Sequence, residues 1–344
     1  MNIRKRVHLE GPLFFGKSMK IILLSLLVML SACSGKDKEI RIQGETMGTY
    51  YKITTYGSES PDELKKEVDE FLKLFNNIFS TYIPGSEIFK INTSKFRKVK
   101  LSNSMRKLIE QSLEISRKSQ GYFDITVAPL VNLWGFGPDG KKKKPTDEEI
   151  QETKKSVGFH HIDFQDKFIV KKVPGLKLDM SAVAKGFGVD ELVKYLEYQG
   201  YSNLLVEIGG EVRTRGSKPE NKPWRVGIEG PGKDLATSLS KVVTLTNMSM
   251  ATSGSYRNYL KYGDEIFNHT IDPKTGKPVN HKTISVSVIS EFCADADAWA
   301  TALMSMGHEK GLDVANKLGL IAYFQIKEDD KVEVLTSNAF EKYK

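Results

Sequence analysis

The 344-residue chain holds two cysteines, Cys33 and Cys293, so at most one intramolecular disulfide is open to it. That excludes the small disulfide-stapled scaffolds, and stability must come from a hydrophobic core. Long apolar runs are scarce as well: IILLSLLVML (21–30) is the only run of such length, and it is too short to span a bilayer as a stable helix. HExxH, CxxC, G-x-S-x-G and Walker A sequences are all missing, which removes the common zinc, dithiol, hydrolase-elbow and P-loop chemistries. No repeat of fixed period and no Pro/Ser linker divides the chain, so one unit, of one or two lobes, is the economical reading. Positive charge is in modest excess. Of the formal +8, residues 1–32 contribute five Lys/Arg and one Glu, leaving +4 for the rest, too little to argue for nucleic acid.

What is present at the beginning sets the compartment. The apolar run lies behind Lys17 and Lys20 and is followed by LSAC (30–33), the pattern of a signal-peptide core. Small residues directly before Cys33 resemble the lipobox of bacterial lipoproteins. That resemblance implies cleavage before Cys33, a lipid on its sulfur, and a short polar tether to residue 40. The product would be a bacterial membrane lipoprotein facing the periplasm or cell exterior, with the inner membrane favoured; an uncleaved anchor would leave the protein on the same side. Met19 opens MKIILLSLLVMLSACSG, a complete signal by itself, and is the expected true start within the 1–32 leader. Lipidation of Cys33 leaves Cys293 unpaired, while the remaining chain of about 310 residues is long enough to build a core.

RIQGETMGTYYKITTYG (41–57) has the content of a strand pair, and PDELKKEVDEFLKLFNNIFSTY (61–82) reads as an amphipathic helix. Leu64, Val68, Phe71, Leu72, Phe75 and Ile78 fall at helical spacing behind Pro61. Further helices are expected over about 102–119 and, after a strand KLDM, over about 181–199. SNLLVEIG, EVRTRG, WRVGIE and TISVSVIS alternate in the manner of antiparallel strands. Without a regular βαβ beat this predicts an α+β class: mixed, largely antiparallel sheets with packed helices. GPDGKKKKPTDEE (137–149) is a turn-rich solvated excursion, contact with anionic lipid being the lesser reading.

Four stretches carry candidate chemistry. FCADADAWATALMSMG (292–307) sets Asp295, Asp297 and Thr301 on the first turns of an otherwise apolar helix. Capping explains acidic helix starts, but Asp297 and Thr301 are four apart, share one face, and could hold a hard cation; the residues alone leave both readings open. LDMSAVAKGFGVD (178–190) places Asp179 at a strand end and Ser181 at an expected N-cap, with Ala, Gly and Lys185 on the first turn. Such a turn binds phosphate well, or simply packs closely. The paired glycines of NLLVEIGGEVRTRG (203–216) suggest a bulge or tight turn. In NHTIDPKTGKPV (268–279), His269 precedes a rigid turn; a lone histidine is more often structural than catalytic.

Taken together, ETMGTYY (45–51), FSTYIPGSEI (79–88), GYFDITVAPLVNLWGFGP (121–138), LDMSAVAKGFGVD, LLVEIGGEVRTRG, ATSGSYRNY (251–259), HTIDPKTGKPV and ADADAWATALMSMG resemble, in order, the ApbE flavin transferases. The resemblance covers roughly residues 41–325 and implies an ApbE-like (T-fold-like) catalytic unit over 41–344. Members of that family bind FAD with Mg²⁺ and transfer its FMN moiety to a Thr or Ser hydroxyl of a partner protein, releasing AMP. Attack of an alcohol on a pyrophosphate needs charge neutralisation at the phosphates, an in-line nucleophile and a proton acceptor.

By position, the resemblance implies Asp297, Thr301 and the carbonyl of Ala182 as Mg²⁺ ligands. Ala300 stands where members often carry another Asp, which would leave a ligand position for water or phosphate. Met47, Tyr82, Tyr122, Phe123, Asp124, Asp179, Lys185 and Ile271 are the implied FAD contacts. His269 matches the histidine proposed to accept the target hydroxyl's proton, and an imidazole with a pKa of about 6.5 suits that task. The implied acceptors are Thr-bearing subunits of redox membrane complexes, such as sodium-pumping NADH:quinone oxidoreductase or the related electron-transport complex. An FAD pyrophosphatase and a non-catalytic flavin-binding lipoprotein are the alternatives. Asp297, Thr301 and His269 together argue against the latter.

Overall fold

The computed structural model describes residues 38–140, 143–230, 239–255, 259–329 and 331–343. The expected signal, Met19 and the Cys33 lipid site lie outside the described residues, as do positions 141–142 of the lysine run and 256–258 of the ATSGSYRNY stretch. Residues Glu39–Lys344 cluster as one compact unit. Among the described residues, no helix is long and apolar enough to cross a membrane.

Eight strands form the frame: β1 (Lys38–Thr46), β2 (Thr49–Gly57), β3 (Leu204–Ile208), β4 (Glu211–Arg215), β5 (Ser249–Gly254), β6 (Thr283–Ser290), β7 (Ile321–Glu328) and β8 (Lys331–Thr336). They neighbour one another in chain order, and every pairing from β2 to β8 is antiparallel. The two-residue turn between β1 and β2 has φ of 51° at Met47 and 71° at Gly48. Positive φ at both central residues suits the right-handed twist of a hairpin, and Met47 holds a conformation usually left to Asn or Gly.

Five longer helices stand among the described residues: α1 (Pro61–Phe79), α2 (Asn103–Lys118), α3 (Ala184–Tyr198), α4 (Cys293–Met306) and α5 (His308–Leu318). The α4 helix lies against β5, β6 and α3, and α1 lies against α3. Phe75, Phe79, Met105, Phe187, Val286, Val288, Trp299 and Leu303 meet in the largest apolar cluster. An antiparallel strand pair, Trp224–Glu229 with Leu239–Leu245, contributes another cluster in which Ile228, Val243 and Leu245 join Met250, Ile289 and Tyr323. Alternation in TISVSVIS therefore does not mark a solvated face. Ser285 and Ser287 are buried, and they are satisfied by Gln325 Nε2 at 2.8 Å and Thr252 Oγ1 at 2.7 Å. The architecture is α+β.

Two local expectations are corrected. Residues 177–180 (KLDM) form no strand; the Leu178 N–H donates to the Asn92 side chain and the Asp179 N–H to the Ile125 carbonyl. Ser181 is no N-cap, because its own amide donates to Asp179 Oδ1 at 2.8 Å and α3 begins only at Ala184.

Capping of α4 also comes from elsewhere. The first N–H groups of a helix lack intrahelical acceptors. Here Asp190 of α3 accepts from the amides of Cys293 and Ala294, each at 2.9 Å, while Asp295 instead accepts from Gln111 Nε2 at 2.7 Å. Buried Arg213 of β4 neutralises Asp190 and lies 5.0 Å from the Phe292 ring centre. At the crossing, a Cβ on Gly186 would sit 2.3 Å from the Cys293 carbonyl oxygen, so only glycine permits the approach. Removing one partner of a buried ion pair strands the other. Asp190→Ala should cost about 3–5 kcal/mol in urea unfolding. The double variant Asp190→Leu/Arg213→Met should cost less than that single change, because it leaves no unpaired charge.

Candidate active site

A cavity of about 640 Å³ opens between the Met47–Gly48 turn, the end of α1 (Phe75, Asn76, Phe79), residues 80–83, Asp179–Ser181 and the first turn of α3 (Ala184, Lys185). Its size is ordinary for a small-molecule site. One wall is aromatic: Phe75 and Phe79 have ring centres 4.5 Å apart, and Phe187 meets Phe79 edge-on at 5.5 Å. Tyr82, 67 % exposed, stands at the mouth. Partial burial raises its phenol pKa, and the nearby Asp179 carboxylate adds to the shift.

The other end of the cavity is polar. Lys185 Nζ lies 2.7 Å from Glu211 Oε1 and 3.8 Å from Asp297 Oδ1, while the Gly186 amide donates to Asp297 Oδ2 at 3.0 Å. Both carboxylates are almost wholly buried, Glu211 at 2 % and Asp297 at 5 % exposure. Burial pushes the Glu211 carboxyl up to about 7, with Lys185 opposing the shift and Asp297 adding to it. Asp297 is also raised by burial, against the pull of Lys185 and the Gly186 amide. Burial disfavours the Lys185 ammonium, but Asp297 and Glu211 outweigh it and raise the lysine well above its ordinary range.

Thr301 is one turn beyond Asp297 on α4, and Ala182 belongs to the turn entering α3. Since the Gly186 amide is turned to Asp297, it is not spent on the carbonyl four residues back. Among the described residues no hydrogen bond uses the Ala182 carbonyl or the Thr301 hydroxyl. Carboxylate, hydroxyl and carbonyl oxygens are the donors a hard cation such as Mg²⁺ takes, so this set fits one. No group of three or more His, Cys, Asp or Glu suited to a metal occurs among the described residues, so a cation here would lean on those neutral oxygens.

The cavity thus gathers Met47, Tyr82, Asp179 and Lys185, with Asp297 behind the lysine. Other expected contacts lie outside its lining. Asp124 is buried and spent: Oδ1 accepts from the Thr126 amide and hydroxyl, Oδ2 from the Phe159 amide. Phe123 is a core residue, and the Tyr122 ring lies near Lys274 and Lys310, at 4.9 and 4.4 Å. Their segment reaches the site through backbone, by the 2.7 Å bond from Asp179 N–H to the Ile125 carbonyl. Ile271 packs with Leu130, Trp134 and Ile150, on a short strand that lies against α4. His269, two residues earlier, meets the Phe136 ring edge-on at 6.5 Å. The glycines of GFGPDG (135–140) have the spacing of a dinucleotide fingerprint but follow the helix Ala128–Leu133 rather than a strand, so that signature carries nothing here.

The family model described as the ApbE family matches residues 47–324. The chain belongs to the ApbE family. It is 35 % identical over 328 residues to the FAD:protein FMN transferase of Vibrio cholerae, covering 94 % of this chain and 98 % of that protein. The Haemophilus influenzae protein of the same name is 36 % identical over 333 residues, covering 94 % and 96 %. Among solved structures, the flavin transferase ApbE from Vibrio cholerae superposes with TM-score 0.81 at 34 % identity, covering 90 % of this chain and all of that one. The apo Pseudomonas stutzeri flavinyl transferase ApbE gives 0.82 at 33 %, covering 90 % and 98 %.

Glu211, Asp190 and Arg213 are the site residues that sequence reasoning missed, although each sits inside a motif quoted for the ApbE resemblance. The charged residue directly after two glycines was the available signal for Glu211. A carboxyl whose folded pKa is raised favours the native state below its unfolded value, and that contribution is lost as pH rises through the folded one. The stability of the native chain relative to Glu211→Gln should therefore decline between about pH 5 and about pH 8, measured by urea unfolding of both proteins.

Proposed function

We propose that this chain is an FAD:protein FMN transferase, moving the FMN half of FAD onto a Thr or Ser hydroxyl of an acceptor protein and releasing AMP. The observation that carries this is the cavity itself: an aromatic wall at one end and, at the other, an ammonium group in front of a buried carboxylate. The chain's similarity along nearly its whole length to proteins of that name supports the same reading.

Each residue then has a task that its chemistry suits. Met47, Phe79 and Tyr82 offer apolar and ring surface to a flat ring system. Asp179 accepts a hydrogen bond from a polar edge, and Lys185 meets diphosphate charge. When bound, Mg²⁺ would be held by Asp297, Thr301 and the Ala182 carbonyl, and would supply charge neutralisation at the phosphates. The acceptor oxygen forms a bond to phosphorus as the bond to the AMP oxygen breaks, and the acceptor's proton goes to His269. A lipid on Cys33 would keep the enzyme on the periplasmic or outer side of a membrane, near Thr-bearing redox subunits such as those of sodium-pumping NADH:quinone oxidoreductase or the related electron-transport complex. Sharing one membrane raises the effective concentration of such partners.

The test is intact-protein mass spectrometry of a threonine-bearing acceptor domain incubated with enzyme, FAD and Mg²⁺, with AMP assayed in parallel. The acceptor should gain FMN less one water. His269→Ala should slow transfer by about 10²–10⁴-fold while FAD still binds, and Asp297→Ala should abolish Mg²⁺-dependent turnover. Full activity in both variants would contradict the assignment. AMP and free FMN beside an unmodified acceptor would make water the nucleophile and the enzyme an FAD pyrophosphatase.

A further inference from the structure

We propose that Glu211 is a positioning residue that holds the Lys185 ammonium off Asp297 and so keeps that carboxylate available to a divalent cation. This rests on the reading of Asp297 as a cation ligand.

The distances are unequal in a telling way. Lys185 makes a full charge-assisted hydrogen bond to Glu211 at 2.7 Å but stops 3.8 Å from Asp297, beyond hydrogen-bond range. Yet Lys185 adjoins Gly186, whose amide already grips the other Asp297 oxygen at 3.0 Å, so the same turn of α3 brings the ammonium to this carboxylate. A lysine stem is long and flexible, and an ammonium without another partner closes on the nearest anion. Glu211 is that other partner, delivered by β4, which packs against α3. The strand begins after Gly209 and Gly210, at φ of 60° and 102°, in the region that favours glycine.

A second observation separates this role from that of a plain structural ion pair. Glu211 Oε2 is buried and has no hydrogen-bond partner among the described residues. A buried carboxylate with one oxygen left unpaired is costly, so the pair as it stands does not maximise stability. Without Glu211, the ammonium would occupy the Asp297 oxygen that a cation needs, and the two cations would compete.

The test uses Mn²⁺ alone as probe, with free Mn²⁺ read by electron paramagnetic resonance, on the full chain. The native chain should bind Mn²⁺ and Asp297→Ala should not. Glu211→Gln should weaken binding by about tenfold or more, and adding Lys185→Gln should restore it by removing the competitor. Lys185→Gln by itself, which tests the idea even if Glu211→Gln does not fold, should bind Mn²⁺ at least as tightly as the native chain. Native-like affinity in Glu211→Gln would overturn the proposal while leaving the cation site standing. So would a weakened Glu211→Gln that Lys185→Gln fails to rescue, since Glu211 would then act as a ligand or a support. If the native chain bound no Mn²⁺, or Asp297→Ala bound it equally well, the cation reading of Asp297 would fall and this inference with it.

Discussion

The close crossing of α3 over the start of α4 is the constraint on which the site depends. At Gly186 the two backbones approach too closely for any side chain, and a first-turn amide of α3, which has no acceptor within its own helix, holds Asp297. Four residues on, Asp190 of the same helix caps α4 and is neutralised by Arg213 from the sheet. Helix, cap and the Asp297 carboxylate are therefore fixed at one crossing. A shift of α3 along α4 would unseat Asp297 and uncap its helix together, which ties the geometry of the site to the stability of the core.

Around that crossing, charge is arranged with little slack. Glu211 and Asp297 share a single ammonium inside an environment that penalises every unpaired charge. Two carboxylates with one lysine leave an excess of acidic groups behind Lys185, while Phe75, Phe79 and Tyr82 give the cavity an apolar lining. A ligand with a flat ring system at one end and phosphate oxygens at the other, accompanied by a cation, matches both ends. The Met47 turn, with its positive φ, also lines the cavity, as sparsely populated backbone conformations at binding sites often do.

Much of this was legible in the sequence. Helical periodicity marked α1 because Leu64, Val68, Leu72 and Phe75 face one core, and the alternating stretches became strands at nearly the expected residues. The placement of Asp297 and Thr301 four apart on one helix was also legible, since spacing along one helix is local information. What escaped was non-local. The cap of α4 lies more than a hundred positions away at Asp190, and the partner of Lys185 comes from another strand. KLDM has the residues of a strand but spends its backbone on Asn92 and Ile125, which no local propensity reveals. Asp124 is non-local in the same way: its oxygens accept from Thr126 and from the Phe159 amide, thirty-five positions on, which the motif alone does not reveal.

The most direct test is a crystal structure grown with FAD and Mn²⁺, with anomalous scattering collected at the manganese edge. The account predicts an anomalous peak against the Asp297 carboxylate, within reach of Thr301 and the Ala182 carbonyl, and a dinucleotide running from Lys185 to Tyr82 through the cavity. A dinucleotide seated elsewhere, or manganese remote from Asp297, would contradict it.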